Sequence, residues 1–436
     1  MSETIFALST GALPSGVAII RISGPGVRFA LETMAGAIPP ARMATLRTLV
    51  DPDGGAVDRG LVLFFPGPAS FTGEDCAEYH LHGSRAVVAR CLDVLGGFSG
   101  FRQAEPGEFS RRAFESGRMD LTEVEGLSDL IRADTEAQRR AALDQSGGTL
   151  RALYEGWMRR LTHARAMLEA ELDFADESDI PGSVSKVIWR DLPALRTEIS
   201  DHLSGLRWGE IVRDGFRIAL VGAPNAGKST LLNRLADREI AIVSPVPGTT
   251  RDRLEVRLDI GGHLVLISDT AGLRETDDEI EREGIRRAQS AMNAADLVLL
   301  LDDGSVDVPA LDGLDGITVW RLRSKSDIRF GDAASASERA VSALTGDGID
   351  RLITDIAAEI SQHARSAASP NRQRHHSLLL EALAGINSAL ALGEEGATEM
   401  VAESLRSASY ALGRITGHVG VEDLLGVIFS EFCVGK

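Results

Sequence analysis

The sequence predicts a multidomain chain: an N-terminal α+β domain, then a helical bundle domain interrupted by an inserted P-loop, Ras-like α/β domain. Three observations lead there. The length of 436 residues is too great for one small module. Short β-type runs among Gly/Pro turns give way to helical periodicity near residue 118. Strand-like and helix-like segments then alternate from 214 to about 362 before helices resume.

In chain order, residues 1–117 carry the runs Val17 to Ile22 and Leu61 to Phe65, punctuated by Gly24-Pro25, Asp53-Gly54-Gly55 and Pro66-Gly67-Pro68. In 118–213, Leu150, Leu153, Trp157 and Leu161 recur at helical spacing, as do Leu192, Leu195, Ile199, Leu203 and Leu206. Residues 214–362 form the inserted domain. In 363–436, Leu379, Leu383, Ile386 and Leu390 make one stripe, and Val401, Leu405, Ala408, Leu412 and Ile415 another. Two tail helices alone bury little apolar surface, so they are expected to complete the first bundle; a separately docked C-terminal hairpin is the alternative.

A 44% hydrophobic, 25% charged composition excludes wholesale disorder. Apolar runs such as Leu297 to Leu301 fall far short of the roughly 18 residues of a membrane span, and no charged-then-apolar leader is evident. Cys76, Cys91 and Cys433 match neither paired-disulfide nor zinc spacing. A cytoplasmic protein is expected. The net charge of −18 repels nucleic acid globally, so any RNA contact must be a local basic patch or a partner's surface. Only four lysines (Lys186, Lys228, Lys325, Lys436) stand against 42 arginines. Each survivor suggests a place where a compact ammonium is needed.

Phe216 to Val221 leads into Gly222-Ala-Pro-Asn-Ala-Gly-Lys-Ser229 and the helical Thr230 to Ala236. This is GxxxxGKS between strand and helix. Asn225, Ala226, Gly227, Lys228, Ser229 and Thr230 are therefore candidate nucleotide-binding residues: backbone N–H groups curl round a phosphate, Lys228 reaches its oxygens, and Ser229 ligates Mg²⁺. Alternating Leu254, Val256, Leu258 and Ile260, a Gly261-Gly262 turn and Leu264 to Ser268 form a hairpin ending in Asp269, Thr270, Ala271 and Gly272, a DxxG in which Asp holds Mg²⁺ through water. Ser324, Lys325, Ser326 and Asp327 follow a strand, and Ser342, Ala343 and Leu344 come later. The Asp327 carboxylate suits guanine N1–H and N2–H₂, which adenine lacks, so GTP is expected rather than ATP. Ser324 stands where GTPases carry an Asn that braces base and P-loop, so weaker binding with guanine preference retained is expected.

Residue 273 is Leu, so the water-orienting Gln of Ras-like enzymes is missing. Asn225 and the run Ser244, Pro245, Val246, Pro247, Gly248, Thr249, Thr250 resemble those of potassium-activated GTPases. By that resemblance Asn225, Ser244, Val246 and Thr249 surround K⁺, Thr250 ligates Mg²⁺, and Glu281 replaces the Gln. Taken bare, the acidic run 277–283 is a solvated helix face.

The whole chain resembles the tRNA modification GTPase family MnmE (TrmE). The resemblance rests on Ile20-Arg-Ile-Ser-Gly24, Phe71-Thr-Gly-Glu-Asp75 with Glu78, Pro106-Gly-Glu-Phe-Ser110, Arg118-Met-Asp-Leu121 and the closing Phe432-Cys-Val-Gly-Lys436. It implies an N-terminal domain that binds 5-formyl- or methylene-tetrahydrofolate and forms a homodimer. It further implies G domains that pair on GTP and K⁺, and a flavoprotein partner, MnmG (GidA), with which an aminomethyl-type group is placed on the tRNA wobble uridine. Arg21, Glu78, Arg118 and Lys436 would hold the folate; taken bare, Arg21 and Glu78 are ordinary surface residues. Cys433 has two readings, a catalytic thiolate or a small buried hydrophobe. His80 and His82 lack a third metal ligand nearby in sequence. The rival reading is an Era-like GTP-dependent ribosome or membrane assembly switch.

Overall fold

The computed structural model describes residues 3–173, 185–223, 225–238, 240–242, 255–269, 291–304, 317–328, 339–362, 369–394, 396–419, 425, 428–429, 432 and 435. They fall into two compact units: residues 1–128, 146–166 and 405–436, and residues 129–145 and 167–404.

The first unit is built on a six-stranded sheet of β1 (Thr4–Leu8), β2 (Ser15–Ser23), β3 (Thr45–Val50), β4 (Ala56–Phe65), β5 (Cys76–Gly83) and β6 (Phe101–Gln103), in the order β3-β4-β5-β2-β1-β6. All pairs are antiparallel except β1 with β6. Alternation along β2 sends Ala18, Ile20 and Ile22 into the core under α1 (Val27–Ala35) and α2 (Arg85–Gly96). Arg21 therefore points to the other face, where Ile5 and Ala7 pack with Phe109 of α3 (Glu108–Glu115). The C-terminal residues Leu425, Phe429 and Phe432 lie against Phe114, Met119 and Val124, the last on α4 (Leu121–Arg132). Their approach requires Gly107: its φ is +70°, and a Cβ there would stand 2.4 Å from the Phe429 carbonyl oxygen.

After α5 (Glu136–Ser146) and α6 (Thr149–Asp173), the second unit carries α7 (Ser185–Ser204), α8 (Leu206–Asp214), β7 (Phe216–Gly222), α9 (Lys228–Ala236), β8 (Glu255–Ile260), β9 (His263–Asp269), β10 (Leu297–Asp302), β11 (Thr318–Arg323), β12 (Arg339–Ala340), α10 (Ile349–Gln362) and α11 (Gln373–Leu392); α12 spans Thr398–Thr416. Its sheet runs β12-β11-β10-β7-β9-β8, parallel except for β8. Leu297 to Leu301 of β10 is buried throughout, as a central parallel strand covered on both faces must be.

The α+β, helical and P-loop α/β parts follow the expected order, and three helical stripes shift. Tyr154 is buried where Leu153 was expected. Leu383 and Leu390 are only partly buried; Leu379, Ala382, Ile386 and Ala389 make the buried face of α11, whose small residues admit close packing with α7. The stripe from Leu192 to Leu206 is broken at Gly205, which separates α7 from α8; Gly209 then passes the Pro370 carbonyl, 2.2 Å from where a Cβ would stand.

Asp120 caps α4. Its Oδ1 accepts hydrogen bonds from Glu123 N (2.7 Å) and Thr122 Oγ1 (2.8 Å), while Glu123 Oε2 accepts from Asp120 N (2.7 Å), a reciprocal capping box. The other carboxylate oxygen is buried without a hydrogen-bond partner among the described residues. Burial, assisted by the like charge of Glu123, pushes the carboxyl up to about 6. Its folded value thus lies above the unfolded one, so the ionised form opposes folding. That opposition grows as pH rises from about 4 to about 6 and is complete above, by about 3 kcal/mol at most. Asp120→Asn keeps the capping oxygen. Urea unfolding is expected to show it about 1–2 kcal/mol more stable than the native chain at pH 8, with no gain at pH 4.

Candidate functional site

The parallel strands of the second unit end on one edge, and those predicted nucleotide residues that are described lie there. Gly222 closes β7 with φ +155°, and a Cβ on it would meet the Leu301 carbonyl oxygen at 2.5 Å. The loop turns through Asn225 (φ +64°) and Gly227 (φ +99°), which precedes α9. Non-glycine φ values in this region carry strain of order 1 kcal/mol and collect at ligand sites. Lys228 is buried, and its ammonium donates to the carbonyls of Gly222 (2.7 Å) and Ala223 (2.9 Å). Desolvation pushes its pKa down while the Asp269 carboxylate pulls it back.

β9 pairs with β7 so that Asp269 stands opposite Leu220, just before the loop. Ser229 Oγ donates to Asp269 Oδ2 at 2.8 Å. This places two hard oxygen donors side by side at a helix N-terminus, a set that fits Mg²⁺ beside a phosphate. Ala226 is buried, while Ser229 and Thr230 are exposed on the first turn of α9.

On the other flank, Ser324 is buried and its hydroxyl donates to the Ala226 carbonyl at 2.7 Å. The Ser therefore braces the P-loop as an Asn would, but its single proton is spent there. Asp327 Oδ1 accepts from Ser342 Oγ at 2.6 Å, and the same hydroxyl accepts from Thr345 N at 3.1 Å. Lys325 adopts φ +56° and pairs with Asp303 Oδ2 at 2.8 Å. Ser326 N donates to the Val341 carbonyl at 3.3 Å; Ala343 packs on the core and Leu344 is exposed. Sequence reasoning missed Asp303. An acidic residue at the end of an apolar strand was the available signal.

In the first unit, Arg21 and Glu78 are direct cross-strand partners, with Arg21 Nη2 2.9 Å and Nε 3.1 Å from Glu78 Oε1. The guanidinium lies 5.2 Å from the Phe71 ring centroid and 5.8 Å from that of Phe109. The aliphatic stem of Arg118 passes Gly73, in the same loop as Phe71, 3.5 Å from where a Cβ would stand. Gly435 lies at the end of β1, its carbonyl accepting from Ser9 Oγ at 2.9 Å, and β1 is the strand beside Arg21. A cavity of about 670 Å³ lies nearby, lined by residues including Thr72, Glu74, Arg112, Ser116 and Phe429; Arg21, Glu78 and Arg118 are not in its wall. His80 and His82 bond separately to Glu78 and Asp58.

Ser244, Pro245, Val246, Pro247, Gly248, Thr249, Thr250, Thr270, Ala271, Gly272, Glu281, Cys433 and Lys436 lie outside the described residues. No helix among the described residues is long and apolar enough to cross a membrane.

Fold and site define a P-loop nucleotide-binding protein in which an α/β domain is inserted between helical segments. The family profile described as MnmE helical domain matches residues 121–433, and that described as GTP-binding protein TrmE N-terminus matches residues 4–118. The chain is 52% identical over 438 residues to the tRNA modification GTPase MnmE of Brucella anthropi, covering 100% of this chain and 99% of that protein. It is 53% identical over 440 residues to that of Sinorhizobium medicae and 54% over 439 residues to that of Rhizobium meliloti, again across 100% of this chain and 99% of each. The chain belongs to the MnmE (TrmE) family of tRNA modification GTPases.

The Ser324 geometry sets an expected outcome. Ser324→Ala removes the brace and leaves the Ala226 carbonyl bare, lowering affinity for GDP about five- to tenfold. Ser324→Asn, which reaches further, is expected to tighten binding several-fold. Titration with fluorescent GDP checks both.

Proposed function

We propose that the chain is a K⁺-stimulated GTPase acting in folate-dependent tRNA modification. With a flavoprotein partner of the MnmG (GidA) kind, it takes part in adding an aminomethyl or carboxymethylaminomethyl group to C5 of the tRNA wobble uridine. The observation that carries this is the meeting, on one sheet edge, of the Ser229–Asp269 pair with the Asp327–Ser342 pair. One matches the needs of a metal-bound triphosphate and the other those of guanine. The relatives' names supply the tRNA context.

In this reading Lys228 leaves the carbonyls of Gly222 and Ala223 for the phosphate oxygens, whose negative charge favours its ammonium form. Mg²⁺, when bound, neutralises charge between the phosphates; Ser229 and Thr250 would hold it, with Asp269 hydrogen-bonded behind. Asp327 accepts both guanine donors, and Ser342 keeps its carboxylate turned toward them. Asn225, Ser244, Val246 and Thr249 would hold K⁺, and Glu281 would orient the attacking water.

The tetrahydrofolate is assigned to Arg21, Glu78, Arg118 and Lys436. A carboxylate for ring N–H donors and a cation for the glutamate tail are both available where Arg21 meets Glu78. A homodimer through the N-terminal sheet is supported by Leu46 and Leu61, which face each other across β3 and β4 and are exposed, with Met43 beside them in sequence. We read the domains as 1–117, 118–213, 214–362 and 363–436, and the chain as cytoplasmic.

GTP hydrolysis is expected to run at least tenfold faster in K⁺ than in Na⁺. Glu281→Ala should lower turnover by a hundredfold or more with little change in GTP affinity. Equal rates in both salts would remove the potassium assignment. For the modification, mass spectrometry of tRNA from cells lacking the protein is expected to show an unmodified wobble uridine, and Arg21→Ala should weaken tetrahydrofolate binding at least tenfold in equilibrium dialysis. Cys433→Ser in the same cells decides between its two readings: full modification means the thiol only packs.

A further inference from the structure

Beside its main-chain and hydroxyl bonds, the turn that reads the base makes one charge pair, from Lys325 to a residue outside the GTPase motifs, Asp303. We propose that Asp303 is a positioning residue for guanine-nucleotide binding: by pairing with Lys325 it pins the turn that carries Asp327 to the end of β10, and it supplements the single hydroxyl tie that Ser324 makes to the P-loop. This rests on the guanine reading of the site given above.

Four observations lead there. First, β10 and β11 run parallel with Asp302 opposite Arg323, so the residues that follow each strand, Asp303 and Ser324-Lys325, emerge side by side. Ser324 N donates to the Asp302 carbonyl at 2.9 Å, the last rung of that ladder. Second, the two acidic residues have different tasks. Asp302 Oδ1 accepts from Gly304 N at 2.7 Å and shapes its own turn, whereas Asp303 Oδ2 takes the Lys325 ammonium at 2.8 Å. The Asp303 side chain is 10% exposed, against 41% for Lys325, so the pair is half shielded from solvent on the acidic side.

Third, Lys325 holds φ +56°, a conformation that L-residues avoid unless something fixes it. Ile328 N closes the turn onto the Lys325 carbonyl at 3.1 Å, so the angle at Lys325 sets where Asp327 stands. Fourth, Ser324 has committed its hydroxyl proton to the Ala226 carbonyl, so it ties the turn to the P-loop but offers no donor to a base. With that anchor short and single, the Asp303–Lys325 pair is a further side-chain tie, beside the Ser326 N–Val341 carbonyl and Ser342–Asp327 bonds.

The test is a double-mutant cycle on the full-length chain. Dissociation of fluorescent GDP is measured by stopped flow for the native chain, Asp303→Asn, Ser324→Asn and the double variant, at 50 and 500 mM salt, with thermal melting of each nucleotide-free protein. Asp303→Asn is expected to speed dissociation about tenfold in the native background and less than threefold beside Ser324→Asn. Its effect should shrink at high salt. Loss of the same factor in both backgrounds would overturn the supplementing role, and no loss in either would overturn the positioning role. If Asp303→Asn fails to fold, Asp303→Ser removes the same charge and is read the same way. Failure of the guanine reading shows separately: the native chain would bind fluorescent ATP as well as GDP, and Asp327→Asn would not shift preference toward xanthosine nucleotides.

Discussion

The site depends on the register of β9 on β7. Because Asp269 is paired opposite Leu220, its carboxylate arrives beside the first turn of α9 and meets Ser229. A slip of one residue would turn Asp269 to the opposite face of the sheet and leave the P-loop without its acidic partner. The buried side chains of both strands hold that register: Ile218 and Leu220 on β7, Val265 and Ile267 on β9, all within one core. The hydrophobic interior thus sets, at a distance, which oxygens stand together at its edge.

The same logic operates in the first unit. Arg21 and Glu78 meet because β2 and β5 pair antiparallel with those residues in direct opposition. Alternation buries Ile20 and Ile22 under α1 and α2 and leaves the charged pair on the face that carries Phe71 and Phe109. The two sites use opposite sheet chemistries. The nucleotide edge exploits loops at the carboxyl ends of parallel strands, and the Arg21 site exploits side chains from the middle of an antiparallel face.

Much of this was legible in the chain itself. The P-loop, the DxxG hairpin and the base turn were readable because phosphate and guanine recognition demand fixed residue types at fixed offsets from strand ends. The strands Phe216–Gly222 and Thr318–Arg323 are short apolar runs that end where those motifs begin. The helical stripes were read less well. Spacing identified α6 and α11, but which residues face inward depends on the neighbouring helix, and Tyr154, Ala382 and Ala389 fill places where leucines were expected. The break at Gly205 was invisible for the same reason: a Cβ there would stand 2.8 Å from the Ser369 hydroxyl, far along the chain.

By itself the sequence determined the chemistry on offer: a compact ammonium at Lys228, a hydroxyl at Ser229, a carboxylate at Asp327, and a Ser where an Asn brace is usual at 324. Local geometry follows from residue type and from the nearest few neighbours, so these are fixed by the order of residues alone. Only the tertiary structure decided what each group does with its bonds: that the Ser324 proton goes to Ala226, that Asp303 and not Asp302 takes Lys325, and that Gly435 returns to the strand beside Arg21. Those choices join residues up to 426 positions apart. They are settled by strand register and core packing, which no short stretch of sequence contains.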